Sequence, residues 1–208
     1  MVNARNVVMA NGYYDKLILA LSSVISEKKP SVVLDLACGE GTLTSKLVTN
    51  EFDMMGIDIS KSAIRTAASK DKKTNYAVAS ISDLPVKSNS VDLILNCFAP
   101  LYSNEALRVL KDDGYLVKVT PFEKHLLELK ELIYPDVYLN KQKENPKGFS
   151  EVSRTIVCDK ITLSGDYLDS VIKMTPYFYR TPKHLLEKTK DKEIDCTLEF
   201  CITILKKS

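Results

Sequence analysis

The stretch "VVLDLACGEG", residues 32–41, decides the predicted fold of this chain. A short apolar run contains Asp35 and is followed by two glycines, Gly39 and Gly41, one residue apart. Such a run before a glycine turn predicts a buried strand that stops where a ligand can approach the backbone. The amides of the two glycines can face an anion there. In an open α/β sheet, ligands bind beyond the carboxyl ends of the strands, so we expect a small-molecule site here.

Strand and helix patterns alternate outward from this stretch. Strand patterns fill residues 31–37, 52–60, 74–80, 90–98, 112–121, 153–164 and 193–207. Helical patterns fill residues 11–30, 41–50, 60–70, 103–111, 122–134 and 165–176, and the predicted N-caps are Ser60 and either Ser103 or Asn104. This order predicts an α/β fold with a doubly wound, mainly parallel seven-stranded sheet whose last strand is antiparallel.

The predicted organisation is one domain over residues 1–208. It begins with an N-terminal helical segment, residues 1–30, and the polar residues 135–153 form a loop or lid insertion. The composition, 45% hydrophobic and 27% charged, is typical of a folded globular protein.

Charge, cysteine content and hydropathy exclude several functional classes. A formal net charge of +2 neither requires nor excludes a polyanionic partner. The five cysteines include no C-x-x-C pair, so neither a disulfide framework nor a metal site is expected. No window approaches the roughly 18 apolar residues of a membrane span, and the first residues do not resemble a secretory signal. We therefore expect no membrane contact and a cytoplasmic location.

Three features narrow the ligand predicted at the glycine turn. Asp35 lies where a carboxylate would disfavour a pyrophosphate, and Thr44 occupies the place of the third glycine of a dinucleotide fingerprint. Asp58 ends the second predicted strand, where its carboxylate can accept both hydroxyls of a ribose. A ligand with a ribose and a positively charged amino group, but no phosphate, fits best, and S-adenosylmethionine is such a ligand.

The same residues resemble class I S-adenosylmethionine-dependent methyltransferases, which have a Rossmann-like fold. "VLDLACGEG" and "GIDIS" are similar to the first motif and the acidic second-strand end of that superfamily, and the likeness extends over about residues 31–121. Ala79, Ser80 and Ile81 stand where many members carry an aspartate for the adenine, so Ser80 or the Ile81 amide takes that role. The resemblance places the cofactor against Asp35, Ala37, Gly39, Glu40, Gly41, Asp58, Ile59, Ser80, Ile81 and Asn96.

The flanking stretches resemble a narrower family, which methylates N1 of a guanine in large-subunit ribosomal RNA. They are "ARNVVMANGYYDKL", "NCFAP", "TPFEKHLLELKELIY" and "MTPYFYRTP". The resemblance implies ribosomal RNA as partner, and it adds Tyr14 and His125, early in a predicted helix, to the cofactor contacts. That family normally opens with a four-cysteine zinc module, to which nothing in this sequence corresponds.

"NCFAP", residues 96–100, is expected to position the acceptor base. Asn96 and the Ala99 carbonyl can hydrogen-bond the edge of a base, Pro100 fixes the turn, and Phe98 can stack on a flipped base or belong to the core. Tyr177 and Phe178 are second candidates for the base pocket. No side chain is identified as the base that removes the guanine proton.

Two other functions stay open at this point. One is methylation of a small molecule beneath the 135–153 segment as a lid, and the other is a module that binds S-adenosylmethionine without transferring its methyl group. Basic stretches at residues 61–73, 141–147, 180–192 and 205–208 are either an RNA-facing rim or solvated surface. A homodimer is also left open.

Overall fold

The computed structural model describes residues 2–142, 144–175, 178 and 181–208. Its seven strands are β1 (Val32–Leu36), β2 (Asp53–Asp58), β3 (Asn75–Val78), β4 (Val91–Cys97), β5 (Leu110–Pro121), β6 (Phe149–Ser164) and β7 (Glu193–Lys207). The α-helices in the described residues are α1 (Val2–Ala10), α2 (Asp15–Lys28), α3 (Thr44–Leu47), α4 (Lys61–Lys70), α5 (Ser103–Val109), α6 (Leu127–Ile133), α7 (Gly165–Met174) and α8 (Lys183–Leu186).

The strands form one sheet in the order β3-β2-β1-β4-β5-β7-β6. Each of the pairs β1–β2, β1–β4, β2–β3 and β4–β5 is parallel, and the last strand is antiparallel. The predicted fold class is therefore confirmed. Parallel strands covered on both faces are almost wholly apolar, as β1 and β4 are, which explains why the sequence pattern was clear.

The chain divides into two compact units, and each is described by itself. Unit 1 comprises residues 1–17, 121–142 and 157–200, and in it α1 packs against α7. Unit 2 comprises residues 18–120, 143–156 and 201–208. Its core is a cluster of buried side chains that includes Leu34, Ile57, Ile94, Leu116 and Phe149. The single domain over residues 1–208 stays a prediction.

The N-terminal region contains two helices where one was predicted over residues 11–30. Gly12 has a φ of +77°, and the Tyr13 amide donates to the Val8 carbonyl. A left-handed glycine with this bond pattern is a helix C-terminal cap, so the chain reverses direction before α2 begins at Asp15.

Two predicted helix starts are wrong, and one is confirmed. His125 lies in a turn rather than early in a helix, because Leu126 has a φ of +55° and α6 begins only at Leu127. Tyr102 precedes α5 without a side-chain cap, so neither Ser103 nor Asn104 caps it. Ser60, in contrast, caps α4, since its hydroxyl accepts from the Ala63 amide at 3.3 Å.

The predicted insertion over residues 135–153 is too long at its C-terminal end. β6 begins at Phe149, which is 6% exposed and belongs to the core cluster, directly after Gly148 with a φ of +81°. β6 lies at the edge of the sheet and residues 150–156 are exposed, so the sequence pattern marked the strand only from residue 153 onward.

Candidate functional site

The chain bends sharply after β1. Ala37, Gly39 and Gly41 have φ values of +58°, +60° and +72°, which are left-handed conformations. A Cβ on Gly41 would lie 2.5 Å from the Tyr76 hydroxyl and 2.9 Å from the Ala67 Cβ, so only glycine fits there. Ala37 is strained, and strained backbone persists where the surrounding structure fixes it, often at functional sites.

The Asp58 carboxylate is oriented by two backbone amides at the end of β2. Its Oδ2 accepts from the Gly39 amide at 2.9 Å, and its Oδ1 accepts from the Ser60 amide at 2.7 Å. A carboxylate oxygen has two lone pairs, so each oxygen can accept one further hydrogen bond, as vicinal ribose hydroxyls would supply. Of the two glycine amides that were predicted to face an anion, Gly39 donates to the Asp58 carboxylate, whereas Gly41 donates to the Cys38 carbonyl.

Asp35 is buried beneath this bend, with 4% of its surface exposed. The Thr44 hydroxyl donates to its Oδ2 at 2.6 Å. Burial raises the pKa of the Asp35 carboxyl to about 7, against the lowering effect of Thr44, and the charge of Asp58 raises it further. Thr44 therefore stands in place of a glycine because it supplies the hydrogen bond that a buried carboxyl requires.

Exposed apolar side chains lie at the ends of β2 and β3. Ile59 is 76% exposed and Val78 is 49% exposed, and Val78 is the register partner of Asp58. The two side chains offer an apolar surface beside the carboxylate, and the sequence pattern gave no sign of Val78, because valine in a strand normally indicates core. Ser80 bonds the Ser82 hydroxyl at 2.7 Å, and half-buried Ile81 packs against the core cluster.

The end of β4 holds one buried polar side chain with unused hydrogen-bonding capacity. Asn96 is 1% exposed, and its Nδ2 donates to the Pro100 carbonyl at 3.1 Å. Its Oδ1 is buried and has no hydrogen-bond partner among the described residues. Leaving a buried acceptor unsatisfied costs about 1–3 kcal/mol. Because the amide is held through Nδ2, its oxygen is presented as an acceptor in a fixed orientation.

Phe98 is both strained and exposed. It has a φ of +60°, its amide donates to the Val119 carbonyl at 3.0 Å, and its side chain is 39% exposed. The alternative that Phe98 belongs to the core is thereby disfavoured. Ala99 is half-buried and Pro100 is exposed, while Tyr102, which the sequence analysis did not single out, is 56% exposed at the end of this loop.

Strand register brings these groups to one edge of the sheet in unit 2. Leu36 of β1 pairs with Ile57 of β2 on one side and with Asn96 of β4 on the other. Neighbouring strands lie about 4.8 Å apart, so the ends of these three parallel strands are adjacent. The carboxylate of Asp58, the bend at Ala37 and the Asn96 amide therefore share the carboxyl edge, as the sequence predicted.

His125 and Tyr14, the other predicted cofactor contacts, belong to unit 1. His125 is 8% exposed, its Nδ1 accepts from the Glu199 amide at 3.3 Å, and its Nε2 lies 3.1 Å from the Tyr13 hydroxyl. Burial, and then the charge of Lys130, lower the pKa of His125 to about 4. The ring is therefore neutral at physiological pH, with its hydrogen on Nε2 and directed to Tyr13.

The Tyr14 ring packs against two aromatic neighbours in the same unit. The Tyr13 ring meets it edge-on at 4.8 Å between centroids, and the Phe200 ring lies at 5.8 Å. The cofactor roles of Tyr14 and His125 stay predictions. Tyr13 was missed because a tyrosine beside another in a helical stripe indicates packing and gives no sign of a partner 112 residues away.

The remaining predicted residues are placed as follows. Glu40 is buried, with 4% of its surface exposed, at the glycine turn. Phe178 is 41% exposed, while Tyr177 lies outside the described residues. Within the described ranges there is no group of three or more histidine, cysteine or acidic side chains that could hold a metal. Among the helices so described, none is long and apolar enough to cross a membrane.

Comparison of the sequence with known proteins identifies a family and two similar proteins. A profile of the family described as "Methyltransferase domain" matches residues 27–193. The chain is 31% identical over 209 residues to YxjB of Bacillus subtilis (strain 168), provisionally named a 23S rRNA (guanine-N(1)-)-methyltransferase, across 93% of this chain and 74% of that protein. It is 29% identical to the 23S rRNA (guanine(748)-N(1))-methyltransferase of Streptomyces fradiae, across 85% of this chain and 67% of that protein.

Comparison with solved structures identifies a protein with a similar fold. A protein from Anaeromyxobacter dehalogenans, provisionally identified as a type II methyltransferase, superposes with a TM-score of 0.61 at 19% identity, over 89% of this chain and 94% of its own. At that identity the likeness concerns the fold, which agrees with the observed strand order.

Proposed function

Because the chain belongs to the methyltransferase-domain family, with S-adenosylmethionine as its methyl donor, we propose that it methylates N1 of a guanine in large-subunit ribosomal RNA. The predicted enzyme class and cofactor are confirmed by the family match. The two relatives match most of the chain, at 31% and 29% identity, and both are named as 23S rRNA methyltransferases. Their names therefore support ribosomal RNA as the acceptor. A cytoplasmic location is part of the proposal, because ribosomal RNA is found there.

The residues of unit 2 fit this donor. Asp58, held by two amides, has acceptor capacity left for the ribose hydroxyls, and Ile59 and Val78 offer an apolar surface for the adenine. The bound sulfonium supplies an electrophilic methyl group. The chain must align the acceptor with this methyl group, and alignment alone can supply several kcal/mol.

The unsatisfied Asn96 Oδ1 is the observation that carries the proposed acceptor class. This oxygen is an acceptor held in a buried position, so it favours a base that presents N–H groups. The Watson–Crick edge of guanine carries two adjacent donors, N1–H and the N2 amino group, whereas adenine and cytosine each present one amino donor beside a ring nitrogen that is an acceptor. Asn96 is therefore proposed to accept from the guanine N2 amino group and thereby position N1.

Phe98 completes the proposed placement of the base. Its exposed ring can stack on a flipped guanine, at about 1–3 kcal/mol per base. As the bond from N1 to the methyl carbon forms, the bond from that carbon to sulfur breaks, and the N1 proton passes to water. Asn96 and Phe98 thus orient the base, and neither is proposed to remove the proton.

The alternative of a small-molecule acceptor beneath a lid has less support. Asn140 ties the proposed lid down: its side chain donates to the Phe122 carbonyl at 2.7 Å and accepts from the Lys130 ammonium at 3.0 Å. The Asn140 amide also donates to the Glu123 carbonyl at 3.0 Å. These three hydrogen bonds hold residue 140 within unit 1 and disfavour a lid that moves at that residue.

The test is mass spectrometry of 23S rRNA from cells with and without the gene. The expected result is one methylguanine that disappears with the gene and returns with the parent protein. Asn96→Ala should fail to restore it, whereas Asn104→Ala, an exposed asparagine on α5, should restore it. Identical rRNA from both strains, together with turnover of S-adenosylmethionine on a small molecule, would overturn the proposal.

A further inference from the structure

The helix α4 buries one side and exposes a strongly basic one. Ile64 and Ala67 are buried, and α4 packs against β2 and β3, the strands at one edge of the sheet. Every basic residue of the segment 61–73 is exposed; we call this set the α4 basic face, and it comprises Lys61, Arg65, Lys70, Lys72 and Lys73. α4 and the loop after it therefore present cations to solvent.

Three members of the α4 basic face are not paired with an acid in the residues that the structure describes. Asp71, the single acid in the segment, is 9% exposed and accepts hydrogen bonds from the Lys73 amide at 2.8 Å and from the Tyr76 hydroxyl at 3.1 Å. Lys61, Arg65 and Lys73 form no ion pair within the part of the chain that the structure describes. An uncompensated cluster of this kind creates a positive potential.

Three basic residues elsewhere in unit 2 are paired with acids. Lys111 pairs with Asp92 at 2.7 Å, Lys207 pairs with Asp112 at 2.9 Å, and Arg154 pairs with Glu151 at 2.6 Å. The segment 61–73 carries five basic residues and one acid, which is a formal charge of +4. The whole chain carries +2, so the other residues together carry −2. The segment 61–73 therefore carries a local excess of positive charge.

The α4 basic face begins beside the proposed cofactor site. Lys61 follows Asp58 by three residues, at the carboxyl edge where Asn96 also lies. The helix has ten residues and is about 15 Å long, so it leads away from that edge along the sheet. The Lys72 ammonium folds back onto the Ala68 carbonyl at 2.5 Å, which keeps its charge against the last turn of the helix.

We infer that the α4 basic face is a docking surface for the phosphate backbone of the acceptor RNA. The inference rests on the proposed function, and it assigns to this surface a role that neither the family match nor the base-positioning residues supply. Lysine and arginine side chains that neutralise phosphates release condensed counterions, which gives affinity without base recognition. Binding at α4 therefore orients the RNA strand, while Asn96 and Phe98 act on the base.

The experiment measures RNA affinity as a function of salt. The probe is a transcript of 23S rRNA that contains guanine 748, the position in the name of the Streptomyces fradiae relative. For the triple variant Lys61→Gln, Arg65→Gln, Lys73→Gln, the slope of log affinity against log salt should fall in magnitude by about 2 to 3, since each phosphate contact contributes about 0.7–0.9. Affinity at 50 mM salt should fall on the order of tenfold or more.

A matched control removes three charges from another exposed segment. Lys183, Lys188 and Lys190 are equally exposed but stand among Glu187 and Asp191, and their replacement by glutamine should leave the slope almost unchanged. S-adenosylmethionine affinity and Tm should equal those of the parent in both variants. An unchanged slope in the α4 variant, or an equal loss in the control, overturns the docking surface. A parent protein that neither binds nor methylates the transcript overturns the proposed function as well.

Discussion

The Thr44 hydroxyl donates a 2.6 Å hydrogen bond to the Oδ2 of Asp35, beneath the bend at which the cofactor is expected. This contact joins the strand β1 to the first residue of α3. Without it, a carboxyl group that is only 4% exposed would have no neutral donor to stabilise its charge. The pair therefore controls the ionisation of Asp35 in the folded protein.

Asp35→Asn should raise stability at alkaline pH. Burial raises the pKa of the Asp35 carboxyl to about 7, whereas an unfolded aspartate titrates near 3.9. Between these values the folded state binds more protons than the unfolded state, so the contribution of Asp35 to stability falls as pH rises, by about 4 kcal/mol in total. Asparagine is neutral and can still accept from Thr44.

The measurement for Asp35→Asn is urea unfolding of both proteins at pH values from 4.5 to 8.5. The difference in unfolding free energy should grow in favour of the variant as pH rises to about 7 and then level off. Taking the difference cancels groups common to both proteins, such as His125, whose lowered pKa acts in the opposite direction. A difference independent of pH would show that Asp35 ionises normally.

Asp58→Ala should weaken S-adenosylmethionine binding at least tenfold in calorimetry, because hydrogen bonds to a charged group contribute about 1.5–3 kcal/mol. The same substitution removes the acceptor for the Gly39 and Ser60 amides, so Tm should also fall. Asp53→Ala, at the exposed start of the same strand, is the control and should change neither quantity. Unchanged affinity for the Asp58 variant would contradict the ribose assignment.

Phe98→Ala should lower kcat/KM for RNA by roughly 5- to 150-fold, which corresponds to the loss of one stacked base at about 1–3 kcal/mol. Cofactor affinity should stay at the parent value, and Phe98→Tyr should retain most of the activity. Phe178 is similarly exposed, at 41%, so Phe178→Ala tests the second candidate for stacking on the base in the same assay. Loss of cofactor binding together with RNA methylation would indicate that Phe98 has a packing role.

Gly41→Ala should destabilise the protein by about 2–4 kcal/mol, because left-handed backbone and steric overlap with Tyr76 and Ala67 act together. Gly165→Ala separates the two effects, since Gly165 also has a positive φ, +48°, but no atom lies within 4 Å of an added Cβ. That control should lose only about 1 kcal/mol. Equal losses in denaturant unfolding would mean that Tyr76 moves aside without cost.

The strands β1, β2 and β4 were predictable because they are short and mostly buried, and hydrophobic pattern alone specifies such strands. The same holds for Asp58 and Asn96, since a polar residue at the end of an apolar strand is visible in the sequence. The start of α6 was not predictable. Leu126 adopts a left-handed conformation because its amide bonds the Thr197 carbonyl at 2.8 Å, a tertiary contact that overrides helical propensity.

Long-range polar pairs were equally invisible. The contact between Tyr13 and His125 joins residues 112 positions apart, and the one between Thr44 and Asp35 depends on how α3 returns over β1. The sequence indicated some of these residues one at a time, without their partners. It gave no sign of Tyr13 or Val78. Which side chains pair in space, and which are exposed at the end of a strand, can be determined only from the three-dimensional structure.

The left-handed residues Ala37 and Phe98 have a consequence for the thermodynamics of ligand entry. Both residues lie in loops that contacts within the protein hold in place, since the Phe98 amide donates to the Val119 carbonyl at 3.0 Å and the Gly39 amide donates to Asp58 at 2.9 Å. Little ordering entropy then remains to be lost on association. We expect the backbone amides around Ala37 and Phe98 to exchange hydrogen at the same rate with and without S-adenosylmethionine, apart from amides that contact the ligand directly.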